Sequence, residues 1–209
     1  LTFMDAPPGG GRFCQKPEAA ADRVAAATVF RYAARALTEV RMQDLKQFVV
    51  DIPDFPQPGI LFRDISPLLR RHFAATIESI ERLFSEAEWD AVDAVAGIES
   101  RGFILAAALA ERRGKGFVPI RKKGKLPPPV VDIAYDLEYG TGVLEMQAGQ
   151  GRLLLVDDVL ATGGTLAASM VLSRQAGYVV QGIGVLIDIG IAPGFRCEDH
   201  VPRIVLQYG

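Results

Sequence analysis

The chain has 209 residues, 49% of them hydrophobic, and 23 basic against 25 acidic side chains give a formal charge of −2. This composition supports a real core and excludes wholesale disorder and a basic footprint for nucleic acid. The longest apolar run, at 102–110, is too short to cross a bilayer, which needs about 20 residues. The two cysteines, Cys14 and Cys197, fit no metal or redox spacing, so we expect a cytoplasmic protein without nucleic-acid or membrane partners.

The first 41 residues differ from the rest of the chain. A Pro/Gly stretch at 6–12 is followed by an Ala/Arg-rich stretch at 18–41 that has helical character. This region carries too many acidic residues for a typical transit peptide. We expect residues 1–41 to be a peripheral or poorly ordered extension, or an over-long reading of the start, and 42–209 to form one domain.

From residue 42 the hydrophobic pattern alternates between helical and strand spacing. It predicts helices at 42–50, 70–89, 102–113 and 166–175, and strands at 93–97, 116–120, 152–159, 178–187 and 204–208. Strands that are apolar on both faces are typical of a mostly parallel sheet covered by helices. Between residues 121 and 145 the alternation fails, and a basic, Pro-rich stretch before an acidic, aromatic one predicts a mobile loop and then a hairpin.

The segment LLLVDDVLATGGTLAAS, residues 153–169, has the features of an anion site. A hydrophobic strand at 153–156 is followed by Asp157 and Asp158, then by a Thr/Gly loop at 161–165, and then by a helix. In parallel sheets, loop amides and a helix N-terminus converge on anions beyond the carboxyl ends of strands. No lysine follows the glycines, so the loop is not an ATP-binding P-loop. The paired acids suit two sugar hydroxyls or water around a divalent cation.

This order of strand, acid pair, ATGGT loop and helix resembles the phosphoribosyl pyrophosphate (PRPP) site of the type I phosphoribosyltransferases. Further blocks resemble the adenine-using members of that family: PDFPQPGILFRDISPL at 53–68, GIESRGF at 97–103, FVPIRKKGKLP at 117–127 and DLEYG at 136–140. The resemblance implies an α/β fold with a mostly parallel central sheet, flanking helices, a small hood at about 42–68 and a flexible catalytic loop. It also implies a homodimer that converts adenine and PRPP into AMP and pyrophosphate, with Mg²⁺ bound mainly through PRPP and water.

The resemblance also implies roles for individual residues. Asp157 and Asp158 would hold the ribose hydroxyls, and the 5′-phosphate would be wrapped by Ala161, Thr162, Gly163, Gly164 and Thr165. Pyrophosphate would meet four cations: Arg101, Arg121, Lys122 and Lys125. Adenine would be bound by Leu61, Phe62 and Arg63, with a pairing of Arg63 to Asp64 as an alternative.

Two further expectations follow from the resemblance. Glu138 would be the catalytic acid or base, exchanging a proton with the purine ring nitrogen that is not bonded to ribose. The Ser100–Arg101 peptide would be cis.

Two other functions remain open at this point. One is a type I phosphoribosyltransferase for another base, such as xanthine or orotate. The other is a regulator that binds PRPP without turning it over, which would need an appended DNA-binding domain and a basic surface. Two departures from the family pattern stand out: a shorter linker at 146–152, which we expect to affect loop closure, and a tail after residue 190 with no assignable function.

Overall fold

The architecture comes from a computed structural model that describes residues 45–137 and 140–208. The predicted extension at 1–41 lies outside the described residues. In chain order the elements are β1 (Val50–Pro53), β2 (Leu61–Asp64), α1 (Ser66–Arg71), α2 (Phe73–Glu81), α3 (Glu86–Asp90), β3 (Ala94–Ile98), α4 (Arg101–Arg113), β4 (Gly116–Lys122), β5 (Val130–Leu137), β6 (Gly140–Gln147), β7 (Gly151–Leu160), α5 (Gly164–Gln175), β8 (Tyr178–Asp188) and β9 (Arg203–Gln207).

The central sheet has seven strands in the order β5-β6-β4-β3-β7-β8-β9. Strands β4, β3, β7, β8 and β9 are parallel, and the β5–β6 hairpin joins β4 in antiparallel orientation. This confirms the predicted mostly parallel sheet and the hairpin after the basic stretch. None of the helices in the described ranges is long and apolar enough to cross a membrane.

Strand β7 has helices on both of its faces, which explains its continuous apolar run. Leu154 and Val156 belong to a buried cluster with side chains of α2, α3 and α4. Leu153 and Leu155 belong to a second cluster, with side chains of α5 and the hairpin. Because successive side chains of a strand alternate between faces, β7 anchors both cores at once.

A separate two-stranded antiparallel sheet, β1–β2, forms the hood expected within 42–68. The helix predicted at 42–50 is wrong in its described part: a 3₁₀ helix covers only Lys46–Phe48, and Val50 pairs with Asp64 in the hood. Strand pairing overrides the helical spacing there, as tertiary context often overrides local propensity.

The single helix predicted at 70–89 is also wrong, because α1, α2 and α3 share that stretch. A capping box begins α3: the Ser85 side chain accepts the Glu88 N–H, and Glu88 Oε2 lies 2.8 Å from the Ser85 nitrogen. Such a box marks a new helix start, so the three- and four-residue spacing of apolar residues continues across a break.

The short linker between β6 and β7 consists of residues 148–150. The Gly149 N–H donates to the Ala176 carbonyl at 2.9 Å. A Cβ on Gly149 would lie 1.9 Å from the Tyr178 hydroxyl oxygen, so the position is restricted to glycine while Tyr178 stays in place. The linker is therefore pinned to the junction between α5 and β8.

Candidate active site

The acid pair lies inside β7, not after it. Pairing between β3 and β7 ends at Gly97 and Val156, whereas β7 continues beside β8 to Leu160. Both side chains are buried, with 8% of Asp157 and 7% of Asp158 exposed. The strand predicted at 152–159 is confirmed; it continues past β3 because β8 provides pairing partners after β3 has ended.

Two glycines bring α4 close to the acid pair. A Cβ on Gly102 would lie 2.8 Å from Asp157 Oδ1, and one on Gly97 would lie 2.7 Å from the Cβ of Ala106. Neither contact leaves room for a side chain, so α4 begins directly against β7. The cis peptide bond that does not involve proline joins Glu99 to Ser100, so the expected position between Ser100 and Arg101 is wrong by one bond. Helix α4 begins at Arg101.

Arg101, the first residue of α4, faces this acid pair. Its Nε lies 2.8 Å from Asp158 Oδ2, although that buried oxygen accepts no well-aligned hydrogen bond within the described part of the chain. Asp157 Oδ1 accepts the backbone N–H of Asp158 at 2.9 Å. Burial and the neighbouring Asp158 charge raise the pKa of Asp157; burial also raises the pKa of Asp158, against the effect of Arg101.

The predicted phosphate loop joins β7 to α5. Gly163 is the residue before α5, with φ +87, and it has no side chain to cap the helix. The first amides of α5, those of Gly164 and Thr165, have no acceptor within the helix and are available to an anion. A Cβ on Gly163 would lie 2.1 Å from the ring of Phe195, so this ring packs directly against the loop.

A cavity of about 520 Å³ brings three groups of predicted residues together. Leu61, Phe62 and Arg63 line it with Arg101 and with Ala161, the first residue of the phosphate loop. Ile60, which precedes the predicted adenine-binding residues in the same segment, also lines it, and four lining residues were not predicted: Gly59, Val159, Ile189 and Ile191. Ile189 and Ile191 follow β8, so the rule that ligands bind beyond the carboxyl ends of strands could have found them.

The hood side chains at this cavity have defined partners. Phe62 packs edge-on against Phe55, at 5.1 Å between ring centroids, and the Arg101 guanidinium lies 5.2 Å from its ring centre. Arg63 forms an ion pair with Asp51 and lies 4.2 Å from the centre of the Tyr208 ring.

The alternative pairing of Arg63 with Asp64 is wrong. The Asp64 carboxylate instead accepts the backbone N–H of Ser66 at 2.9 Å and its hydroxyl at 2.6 Å, which lowers the pKa of Asp64. Asp64 therefore binds the first residue of α1, and Arg63 pairs with Asp51 instead.

The second cationic group lies outside the residues that line the cavity. Arg121 and Lys122 are the last residues of β4, which is two residues longer than predicted, and Lys125 lies in the following loop. The Arg121 guanidinium lies 3.3 Å from the Glu99 carboxylate and donates to the Lys125 carbonyl at 3.1 Å. Glu138 lies outside the described residues.

The described ranges contain no cluster of three His, Cys, Asp or Glu side chains suited to a metal ion. Asp157 and Asp158 together offer buried carboxylate oxygens, one of them without a well-aligned donor. Such a pair fits sugar hydroxyls, or water around Mg²⁺, better than it fits a complete protein-only metal site.

Residues 69–194 match the family described as the phosphoribosyl transferase domain. The chain is 47% identical over 170 residues to the adenine phosphoribosyltransferase of Hydrogenovibrio crunogenus, covering 81% of this chain and 99% of that protein. The chain belongs to the phosphoribosyltransferase family, and within it to the adenine phosphoribosyltransferases.

Solved structures agree with this assignment. The crystal structure of adenine phosphoribosyltransferase from Rhodothermus marinus has a TM-score of 0.69 at 42% identity, covering 79% of this chain and 97% of that one. The enzyme from Saccharomyces cerevisiae, in complex with an imino-altritol bisphosphate and adenine, has a TM-score of 0.74 at 32% identity, covering 79% and 98%.

Proposed function

We propose that this chain transfers the 5-phosphoribosyl group of PRPP to adenine, giving AMP and pyrophosphate in purine salvage. One observation carries the proposal: a single cavity joins residues 61–63, which we assign to the base, to Arg101 and to Ala161, the first residue of the predicted phosphate loop. The segment assigned to adenine and the start of the loop assigned to the phosphate therefore border one space. Asp158, assigned to ribose, does not line this space but contacts Arg101, which does. In the reaction, a bond forms between adenine N9 and ribose C1′, and the bond from C1′ to pyrophosphate breaks.

The buried strand end and its loop are assigned to the phosphosugar. The amides of 161–165 and the hydroxyls of Thr162 and Thr165 would bind the 5′-phosphate, because they combine free donors with a helix N-terminus. Asp157 and Asp158 would accept hydrogen bonds from the two ribose hydroxyls. Orienting the sugar in this way lowers the entropic part of the barrier.

The leaving pyrophosphate is assigned to cations at two places. Arg101 lines the cavity, while Arg121, Lys122 and Lys125 lie at the end of β4 and in the next loop. Bidentate hydrogen bonds from arginine and the positive charge of lysine both stabilise the negative charge that develops on pyrophosphate. Mg²⁺ would bind through PRPP and water and add further charge neutralisation.

Adenine is assigned to the hood segment. The Phe62 ring offers a stacking surface worth about 1–3 kcal/mol for a base. Backbone groups of Leu61 and Arg63 would pair with the adenine edge, since its exocyclic amine requires an acceptor. Guanine and hypoxanthine place a carbonyl there and would be disfavoured.

Proton transfer is assigned to Glu138. As N9 bonds to ribose, the carboxylate would take the proton that leaves the other imidazole nitrogen. We expect Glu138→Gln to lower kcat much more than the affinity for PRPP, as measured by turnover and calorimetry. Unchanged turnover would remove Glu138 from this role.

We also propose a cytoplasmic homodimer. Ile104 on α4 and Phe117 on β4 are 44% and 39% exposed, and Phe117 packs edge-on against Phe103. Exposed apolar side chains on adjacent elements suit a second copy of the chain. Light scattering should give twice the chain mass, and Ile104→Glu should shift it toward the monomer.

An assay of AMP and pyrophosphate release tests the whole assignment. We expect release with PRPP and adenine, and little with hypoxanthine, guanine, xanthine or orotate. Release with another base alone would identify a different transferase, and PRPP binding with no release for any base would identify a regulator. Running the assay with and without residues 1–41 tests whether the extension matters.

A further inference from the structure

Glu145 is a buried acid on β6 that faces the basic loop at 123–129, and the functional assignment above gives it no role. Only 3% of the residue is exposed. Its Oε2 accepts the backbone N–H of Gly124 at 3.0 Å, and its Oε1 accepts those of Lys125 and Leu126, both at 2.6 Å. One carboxylate therefore binds three consecutive amides.

These contacts keep Glu145 ionised. The N–H of Gly124 is the largest influence that lowers its pKa, ahead of the opposing effect of burial, and Arg121 contributes a favourable charge. A buried carboxylate is otherwise costly, and charge-assisted hydrogen bonds compensate for the lost water. The loop amides thus satisfy the acid, and the acid fixes the loop.

Lys125 is held from both sides of its backbone. Glu145 binds its N–H, and Arg121 donates to its carbonyl at 3.1 Å. The pairing of β4 with β6 places Glu145 directly opposite Arg121. With its backbone fixed and its side chain exposed, Lys125 presents its charge from a defined position, whereas the N–H of Lys122 donates to Glu99 at 3.0 Å.

We infer that Glu145 is a positioning residue for the pyrophosphate-binding cations, because it fixes the backbone from which Lys125 presents its charge and to which the Arg121 side chain donates. This inference rests on the proposed function. Preorganised cations bind an anion more tightly than mobile ones, since less conformational entropy is lost on binding.

The hairpin offers a matched control. Asp132 lies opposite Glu145 on β5, and its exposed carboxylate contacts Lys123 Nζ at 3.1 Å. Asp132→Asn therefore removes one negative charge near the same loop without removing an acceptor for the amides of 124–126. Glu145→Gln keeps the shape of the side chain but places an amide donor against N–H donors.

The experiment measures the affinity for PRPP by calorimetry and the amide exchange of the peptide covering 124–126 by mass spectrometry. We expect Glu145→Gln to weaken PRPP binding by about tenfold and to speed exchange by a similar factor, because it loses charge-assisted hydrogen bonds. Asp132→Asn should change either value by less than about twofold. If Glu145→Gln does not fold, Glu145→Asp, which retracts the carboxylate by one methylene, should show the same direction.

Three results separate the outcomes. Unchanged PRPP affinity in Glu145→Gln overturns the positioning role, whatever the exchange rates. Equal losses in Glu145→Gln and Asp132→Asn also overturn it, because they would reflect charge alone. A wild-type chain that binds PRPP but forms no AMP defeats the proposed function, while the binding comparison still decides the role of Glu145.

Discussion

Nε of Arg101 lies 2.8 Å from Oδ2 of Asp158, so a cation assigned to pyrophosphate contacts a carboxylate assigned to ribose. The arginine lowers the pKa values of both buried acids, in opposition to burial. One guanidinium therefore links the part of the site assigned to pyrophosphate with the part assigned to the ribose hydroxyls. Its removal should alter both binding and protonation.

Replacement of Arg101 by glutamine should weaken PRPP binding about 10- to 100-fold, because hydrogen bonds to charged groups are lost. The pKa values of Asp157 and Asp158 should rise further, so the acidic limb of the binding profile should move to higher pH. Calorimetry across a pH series checks both effects. Arg112→Gln is the control, since Arg112 lies on the same helix but pairs with Glu81. If the acidic limb does not shift in Arg101→Gln, Arg101 does not control the pKa values of the acid pair.

The buried acid pair should destabilise the folded chain. Asp157→Asn should raise the free energy of unfolding by on the order of 1 kcal/mol, or about 2–4 °C in Tm for a chain of this size, because it removes a buried charge. Activity should fall, since a ribose acceptor is lost. A lower Tm together with lost activity would show that the charge stabilises the fold.

The stability that Asp157→Asn gains over wild type should increase with pH. Burial raises the pKa of Asp157 in the folded chain above 3.8, its value in the unfolded chain. Between the unfolded-state and folded-state pKa values the folded chain binds more protons than the unfolded chain, so wild-type stability falls as pH rises. The Tm gap between Asp157→Asn and wild type should thus widen with pH and close toward pH 3.8. Thermal melts in matched buffers measure it; a gap that closes toward alkaline pH would refute the burial argument.

Gly163→Ala should destabilise the phosphate loop for two reasons. Its φ of +87 disfavours a side chain, and the new Cβ would overlap the Phe195 ring. We expect a loss of about 2–4 kcal/mol in stability and weaker PRPP binding. Phe195→Ala in the same chain should recover about 1 kcal/mol or more of that loss, as a double-mutant cycle would show. Strict additivity would leave backbone strain as the whole cause.

Tyr208 should support the hood through its ring and not through its hydroxyl. Lys46 Nζ and the Arg63 guanidinium lie 4.1 and 4.2 Å from the ring centre, while the buried hydroxyl has no hydrogen-bond partner among the described residues. Tyr208→Phe should leave stability unchanged or raise it by up to about 1 kcal/mol. Tyr208→Leu should lower stability by about 2 kcal/mol and raise the KM for adenine, because Arg63 loses its platform. Equal adenine kinetics in both variants would contradict this.

Local sequence signals predicted the parts of the site that lie close together in the chain. The run of β-formers ending in Asp157 and Asp158, and the Gly163–Gly164 turn, predicted the strand, loop and helix correctly. The pattern could not show that β7 continues past β3, because that depends on which neighbouring strand still offers hydrogen bonds.

Long-range partners were the main part that the sequence could not provide. The contacts of Phe195 with Gly163, and of Tyr208 with Arg63, join segments more than 30 residues apart. Both residues lie in the tail after residue 190: Tyr208 falls in the strand predicted at 204–208, but no motif there indicated that Phe195 or Tyr208 contacts the site. Ser85 and Glu88, by contrast, form a readable capping box that the helical periodicity concealed.

The pinned linker at 148–150 determines where the hairpin can bend. An inserted residue there would have to displace Tyr178 or break the Gly149 bond to Ala176, so this end acts as a clamp. A change in the length of this linker would therefore be transmitted to the junction between α5 and β8 as well as to the hairpin.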